Sequence, residues 1–127
     1  MNRTILLVDD SDTVRRMLRW VLSPLGVRLI EAANGALALE ALDREIVHLV
    51  VADLNMPVMD GIELVRQLRA NPARVALPVL MLTTEQRDQD VTAVLKAGAN
   101  LYLPKPSTPA LIREKVLSLL PALETKT

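Results

Sequence analysis

Five short apolar runs, each followed by a segment of helical periodicity, constrain this chain more than any other feature. Thr4–Val8 is a continuous apolar run that ends in two aspartates. Val14, Met17, Leu18, Val21, Leu22 and Leu25 then recur at i, i+3, i+4 and i+7, the stripe of one helix face, with Arg15, Arg16 and Arg19 off it. Gly26 is a fitting stop for that helix. Arg28–Glu31 reads as a second strand, Asn34-Gly35 as a turn and Ala36–Arg44 as a helix. His48–Ala52 is the third strand. A loop from Pro57 to Asp60 precedes a helix striped by Ile62, Val65 and Leu68. Pro78–Leu82 is the fourth strand, ending at Thr83, and Val91, Val94 and Leu95 mark a helix stopped near Gly98. Leu101–Leu103 is a brief fifth strand that leads to Lys105. Thr108 and Pro109 cap and open a last helix, striped by Ile112, Val116, Leu119 and Leu120.

Five βα units, with the third and fourth strands apolar on both faces, predict an α/β fold in which helices cover both faces of a parallel sheet. The chain has 127 residues, the size of one domain. The expectation is a single domain over 1–127, core about 4–120, with nothing attached after the last helix. Half of the residues are hydrophobic, yet there is one Trp, one Tyr and no Phe, so the core must be aliphatic.

Charge and composition exclude several functions. The 15 basic residues balance the 15 acidic ones, so the basic excess of a nucleic-acid binder is missing. The absence of cysteine excludes disulfides, thiolate metal sites and thiol catalysis. The apolar runs fall far short of the ~20 residues that span a bilayer, and Met1-Asn2-Arg3 does not resemble a signal peptide. A cytoplasmic protein with neither membrane nor nucleic acid as partner is expected.

The polar residues fall at the carboxyl ends of the strands: Asp9 and Asp10 after the first, Asp53 after the third, Thr83 at the fourth, Lys105 after the fifth. In a parallel sheet these ends share one edge, where open α/β sheets bind ligands. Carboxylates crowded there repel one another, by ~4 kcal/mol for two unit charges 4 Å apart at an effective dielectric of 20. They call for a cation. Oxygen donors without His or Cys favour a hard ion, Mg²⁺, with Mn²⁺ as a substitute. With such an ion and the Lys105 ammonium in place, the edge suits a phosphoryl group: a carboxylate attacks phosphorus, and the cations offset charge on the phosphoryl oxygens.

The segments LLVDDSDTVRRML, DLNMPVMDG, LPVLMLTTE and KAGANLYLPKP together resemble the receiver domains of two-component response regulators, those of chemotaxis above all, over nearly the whole chain. The resemblance implies a doubly wound, flavodoxin-like (βα)5 fold with strand order 2-1-3-4-5. It makes Asp53 the phosphoacceptor, phosphorylated by a sensor histidine kinase with Mg²⁺, and the chain a phosphoacceptor rather than a turnover enzyme. Asp10 matches the direct metal ligand and Asp9 its neighbour acting through water. Asn55 would add its backbone carbonyl, Thr83 matches the switch hydroxyl and Lys105 the phosphate-binding lysine. The Lys105-Pro106 bond is expected cis. Tyr102 matches the switch aromatic, which would follow Thr83 inward and reshape the face of helix four, strand five and helix five, where a target protein docks. Asn55 and Glu85 occupy the positions that tune dephosphorylation and predict autodephosphorylation on the faster side of the family. The implied state is a monomer or weak dimer.

Departures from the family pattern are Leu54, where the best-known chemotaxis regulators carry Trp, and Ser107, where Phe often follows Lys-Pro. Asp60-Gly61 reads as a turn, His48 as structural and Trp20 as a lone surface hydrophobe. Three alternatives stand beside the chemotaxis reading. One is a stand-alone or excised receiver in another pathway, acting as phosphate sink or adaptor. Another is a receiver-like interaction module without phosphorylation, which the intact set of site residues does not favour. The last is a haloacid-dehalogenase-like phosphatase, since Asp10-Ser11-Asp12-Thr13-Val14 fits DxDx[TV]; it leaves Asp53 unexplained.

Overall fold

The structure, a computed structural model, describes residues 3–84 and 87–120. Its elements alternate along the chain: β1 (Thr4–Val8), α1 (Asp12–Leu22), β2 (Arg28–Ala32), α2 (Gly35–Arg44), β3 (Leu49–Ala52), α3 (Gly61–Ala70), β4 (Val79–Thr83), α4 (Asp88–Ala97), β5 (Leu101–Pro104) and α5 (Pro109–Leu119). The five strands form one parallel sheet in the order β2-β1-β3-β4-β5. This is the doubly wound, flavodoxin-like fold.

The apolar runs become central strands because both of their faces are covered. β1, β3 and β4 are buried along their whole length, whereas the edge strands β2 and β5 are partly exposed. Leu7 lies opposite Val51, Val51 opposite Leu80 and Leu80 opposite Leu101. Alternation along each strand divides the core into two aliphatic layers. Ile5, Leu7, Val51, Leu80 and Leu82 pack with Leu18, Leu22, Ile112 and Val116 of α1 and α5. Leu6, Val8, Val50 and Met81 pack with Ala38, Leu64, Leu68 and Val94 of α2, α3 and α4. Each fully buried Leu or Val contributes roughly 1.5–3 kcal/mol, so aromatic residues are dispensable here.

Side-chain caps start four helices: Ser11, Asn34, Asp60 and Thr108 accept the N–H of Val14, Leu37, Glu63 and Leu111. Such a cap is worth about 1 kcal/mol. Asn34 and Asp60, read from the sequence as turn residues, are therefore caps. The first helical stripe does not stay α-helical to Leu25. Pro24 has no N–H to give Trp20, so the chain tightens into a 3₁₀ turn over Ser23–Leu25, and the Ser23 hydroxyl donates to the Trp20 carbonyl instead (3.1 Å). Gly26 ends it with φ 69°. His48 is structural, as expected: its Nδ1 accepts the Thr4 N–H at 2.9 Å and helps tie β3 to β1. Trp20 is 71% exposed. Among the described residues, no helix is long and apolar enough to cross a membrane.

Candidate phosphoacceptor site

The strand order reverses between β1 and β3, since β1 connects to β2 on one side while β3 lies on its other side. The crevice at their carboxyl ends is where such a sheet binds ligands. Asp9 follows β1 and Asp53 follows β3, and both are buried, while Asp10 is exposed. One carboxylate oxygen from each of the three lies within 4.8 Å of the others.

The buried aspartates are held by specific bonds. Asp9 N–H donates to Ala32 O (3.1 Å), and Asp9 Oδ1 accepts Ser11 N–H (2.9 Å), which closes the turn into α1. Asp53 N–H donates to Val8 O (2.9 Å), and Asp53 Oδ1 accepts Leu54 N–H (2.8 Å). Lys105 closes the far side. Its ammonium donates to Asp9 Oδ2 at 2.7 Å and lies 3.6 Å from Asp53 Oδ2. The lysine backbone hangs from β4, Lys105 N–H donating to Thr83 O at 2.9 Å.

Three carboxylates and one ammonium leave a net negative edge. The donor set fits a hard divalent cation. Octahedral Mg²⁺, with oxygens at ~2.0–2.1 Å, places its ligands ~3–4 Å apart and needs only a few from protein. Asn55 is exposed at the rim of the same loop.

Thr83 is fully buried. Tyr102 lies opposite Met81 in the β4–β5 ladder and Pro104 opposite Thr83, so Thr83 and Tyr102 face the same side of the sheet, one pleat apart. Tyr102 is half-buried and lines a groove of about 550 Å³ with Asp88, Val91, Thr92 and Pro104. The Lys105-Pro106 bond is cis, and Ser107 Oγ donates across that turn to Pro104 O (2.6 Å). Glu85 lies outside the described residues. Asp12, the second acid of the phosphatase-like pattern, sits on α1, largely exposed and paired with Arg15.

Sequence reasoning passed over two features beside the site. One is Arg15, which donates to the Asp9 carbonyl and to Asp12, and through Nε to Glu31 Oε1 at 2.8 Å. Burial works against the guanidinium charge, but the bond to Glu31 and the charges of Asp12 and Glu31 hold its pKa above the ordinary value. Glu31 is in turn held below the usual carboxylate range, first by the hydrogen bond from Arg19. The available signal was that Arg15 and Arg19 share a helix face at i, i+4. The other feature is Gly61. A Cβ there would lie 2.5 Å from both Asp53 O and Met81 Cε, so the loop that follows β3 packs directly on the first turn of α3.

The model of the family described as "Response regulator receiver domain" matches residues 5–117. The chain is 41% identical over 114 residues to "Chemotaxis protein CheY1" of Helicobacter pylori, covering 88% of this chain and 92% of that one. It is 41% identical to "Chemotaxis protein CheY homolog" of Campylobacter jejuni, with 91% of each chain covered. Among solved structures, the Vibrio cholerae chemotaxis protein CheY4 superposes with a TM-score of 0.88 at 32% identity, over 94% of this chain and all (100%) of that chain.

Proposed function

We propose that this chain, which belongs to the response regulator receiver domain family, is a phosphorylation switch in which Asp53 accepts a phosphoryl group from a histidine kinase with Mg²⁺. The observation that carries the reading is the cluster of Asp9, Asp10 and Asp53 carboxylates within 4.8 Å of one another, closed by Lys105.

An Asp53 carboxylate oxygen attacks phosphorus in line. The new P–O bond forms as the P–N bond of a phosphohistidine breaks, and the leaving imidazole nitrogen keeps the electron pair. Asp10 and Asp53 would hold Mg²⁺ with the Asn55 carbonyl, and Asp9 through water; when bound, the ion offsets charge on the phosphoryl oxygens. Lys105 neutralises another phosphoryl oxygen from the side of Asp9, where its ammonium already lies. The Thr83 hydroxyl donates to the phosphoryl group, and Tyr102, on the same face one pleat away, moves into the space this leaves. The face of α4, β5 and α5 thereby changes shape, and a target protein reads it. Asn55 and Glu85 set the rate at which water removes the phosphoryl group.

The names of the relatives support chemotaxis or motility as the pathway. We read 1–127 as one receiver domain, cytoplasmic, acting by docking to a partner as a monomer or weak dimer, without nucleic acid or membrane. The test is intact-mass spectrometry after incubation with acetyl phosphate and Mg²⁺. Wild type should gain one phosphoryl group and Asp53→Asn none. No gain in wild type that binds the metal would overturn the assignment.

A further inference from the structure

The three acidic residues of the site are not held alike. Asp9 has partners on its N–H and on both carboxylate oxygens: Ala32 O, Ser11 N–H and the Lys105 ammonium. Asp53 is pinned by Val8 O and Leu54 N–H. Asp10 is different. It is exposed, and among the described residues none bonds its carboxylate. Its aim is therefore set by the backbone that carries it.

That backbone includes the peptide joining Asp9 to Asp10. The unit is planar, so the direction of the Asp9 carbonyl fixes the Asp10 N–H and the position of its Cα. Arg15 donates to this carbonyl. The guanidinium is itself clamped, by Asp12 on its own helix and by Glu31 on β2, and the Arg15 side chain is only 12% exposed. Arg19 holds Glu31 from the other side and also donates to Leu29 O (3.1 Å). A rigid chain of contacts thus runs from the edge strand β2 through Glu31 and Arg15 to the peptide that aims Asp10.

We propose that Arg15 is a positioning residue of the metal site, orienting the Asp10 carboxylate through the Asp9 carbonyl, with Glu31 as its anchor. The proposal rests on the reading of the acidic cluster as a Mg²⁺ site. Charge alone predicts the opposite effect. An arginine beside an acidic cluster repels a divalent cation, so its removal should tighten binding. Arg15 is paired with Asp12 and Glu31, and its loss would leave those carboxylates in excess, so weaker binding by the variant can come only from lost positioning. Removing groups that orient metal ligands from behind weakens metal sites by roughly 10–100-fold.

The experiment titrates Mg²⁺ alone into the full chain by calorimetry and, in the metal-free chain, reads the residual dipolar coupling of the Asp10 N–H by NMR, which reports the direction of that bond. Arg15→Met should bind Mg²⁺ about tenfold more weakly and shift the Asp10 coupling while the couplings of the strand amides stay unchanged. Arg15→Lys, which can still donate to the carbonyl but not to all three partners, should recover part of both. Arg28→Met, which breaks the ion pair to Glu45 at the opposite end of β2, should leave both readouts at wild type. Equal or tighter Mg²⁺ binding by Arg15→Met, with an unchanged Asp10 coupling, would overturn the proposal. If Arg15→Met does not fold, Glu31→Gln serves instead: a shifted Asp10 coupling and weaker binding support the role, and wild-type values overturn it. A wild type that binds no Mg²⁺ defeats the metal-site reading itself, and the coupling data then decide alone whether Arg15 positions Asp10.

Discussion

Lys105 bonds Asp9 more closely than Asp53: its ammonium is 2.7 Å from Asp9 Oδ2 and 3.6 Å from Asp53 Oδ2. The lysine therefore hydrogen-bonds Asp9 and meets Asp53 only as a longer ion pair. Lys105→Met removes a cation that competes with the metal for the same acids. It should bind Mg²⁺ roughly threefold to tenfold more tightly, by calorimetry. The variant should still lose its phosphorylation-dependent response to a partner, because no ammonium remains to hold the phosphoryl group. A normal response would remove Lys105 from the mechanism.

Mg²⁺ at ~100 times its dissociation constant should stabilise the fold by ~2.7 kcal/mol, if the unfolded chain does not bind it. For a chain of this size that corresponds to a rise in melting temperature of about 10 °C. Asp10→Asn should lose most of the rise, and an unchanged rise in that variant would place the ion elsewhere.

Gly61→Ala would push a methyl group against Asp53 O and Met81 Cε, each 2.5 Å from the ideal Cβ position. The expected destabilisation is about 1–3 kcal/mol by urea unfolding. Because the displaced atom belongs to Asp53, phosphorylation by acetyl phosphate should slow even where the variant is fully folded.

Val58 has φ 71° and is 83% exposed, at the apex of a tight turn in which Met59 N–H donates to Pro57 O at 2.8 Å. A β-branched residue in this region is strained. Val58→Gly removes the strain at some cost in unfolded-state entropy, and a net stabilisation of up to about 1 kcal/mol is expected. A fall in stability would mean that the side chain packs in a way its exposure does not suggest.

Glu31 is held below the usual carboxylate range, first by its hydrogen bond from Arg19 and against the effect of its partial burial. A lowered folded-state pKa gives stability that is fully present above the unfolded value and is lost as pH falls through the folded one. Urea midpoints should therefore drop below about pH 4–5, and Glu31→Gln should flatten that acid limb. The pair is partly solvated, so the loss at neutral pH should stay below about 1 kcal/mol. An acid limb unchanged in Glu31→Gln would assign it to other carboxylates.

Much of the fold was legible because its strands are buried on both faces. Continuous apolar runs such as Thr4–Val8 and Val79–Leu82 carry that burial directly in their composition. Thr108 and Pro109 begin α5 where a cap and a first-turn proline should, since both act within a few residues of chain. Asn34 and Asp60 were harder, because the same residue types serve turns and caps, and only the path of the following residues separates the two.

By itself the sequence determined which carboxylates and which cation meet at the edge of the sheet. Parallel βα units bring all strand carboxyl ends to one edge, and Asp9, Asp10, Asp53, Thr83 and Lys105 each stand at such an end. Tertiary structure alone decided how they are held. That Lys105 bonds Asp9, that Arg15 reaches the Asp9 carbonyl with Glu31 behind it, and that Gly61 packs on Asp53 O all depend on which strands lie side by side. The reason is range: strand and cap signals are local, whereas a guanidinium finds its carboxylate only after β2 has docked beside β1.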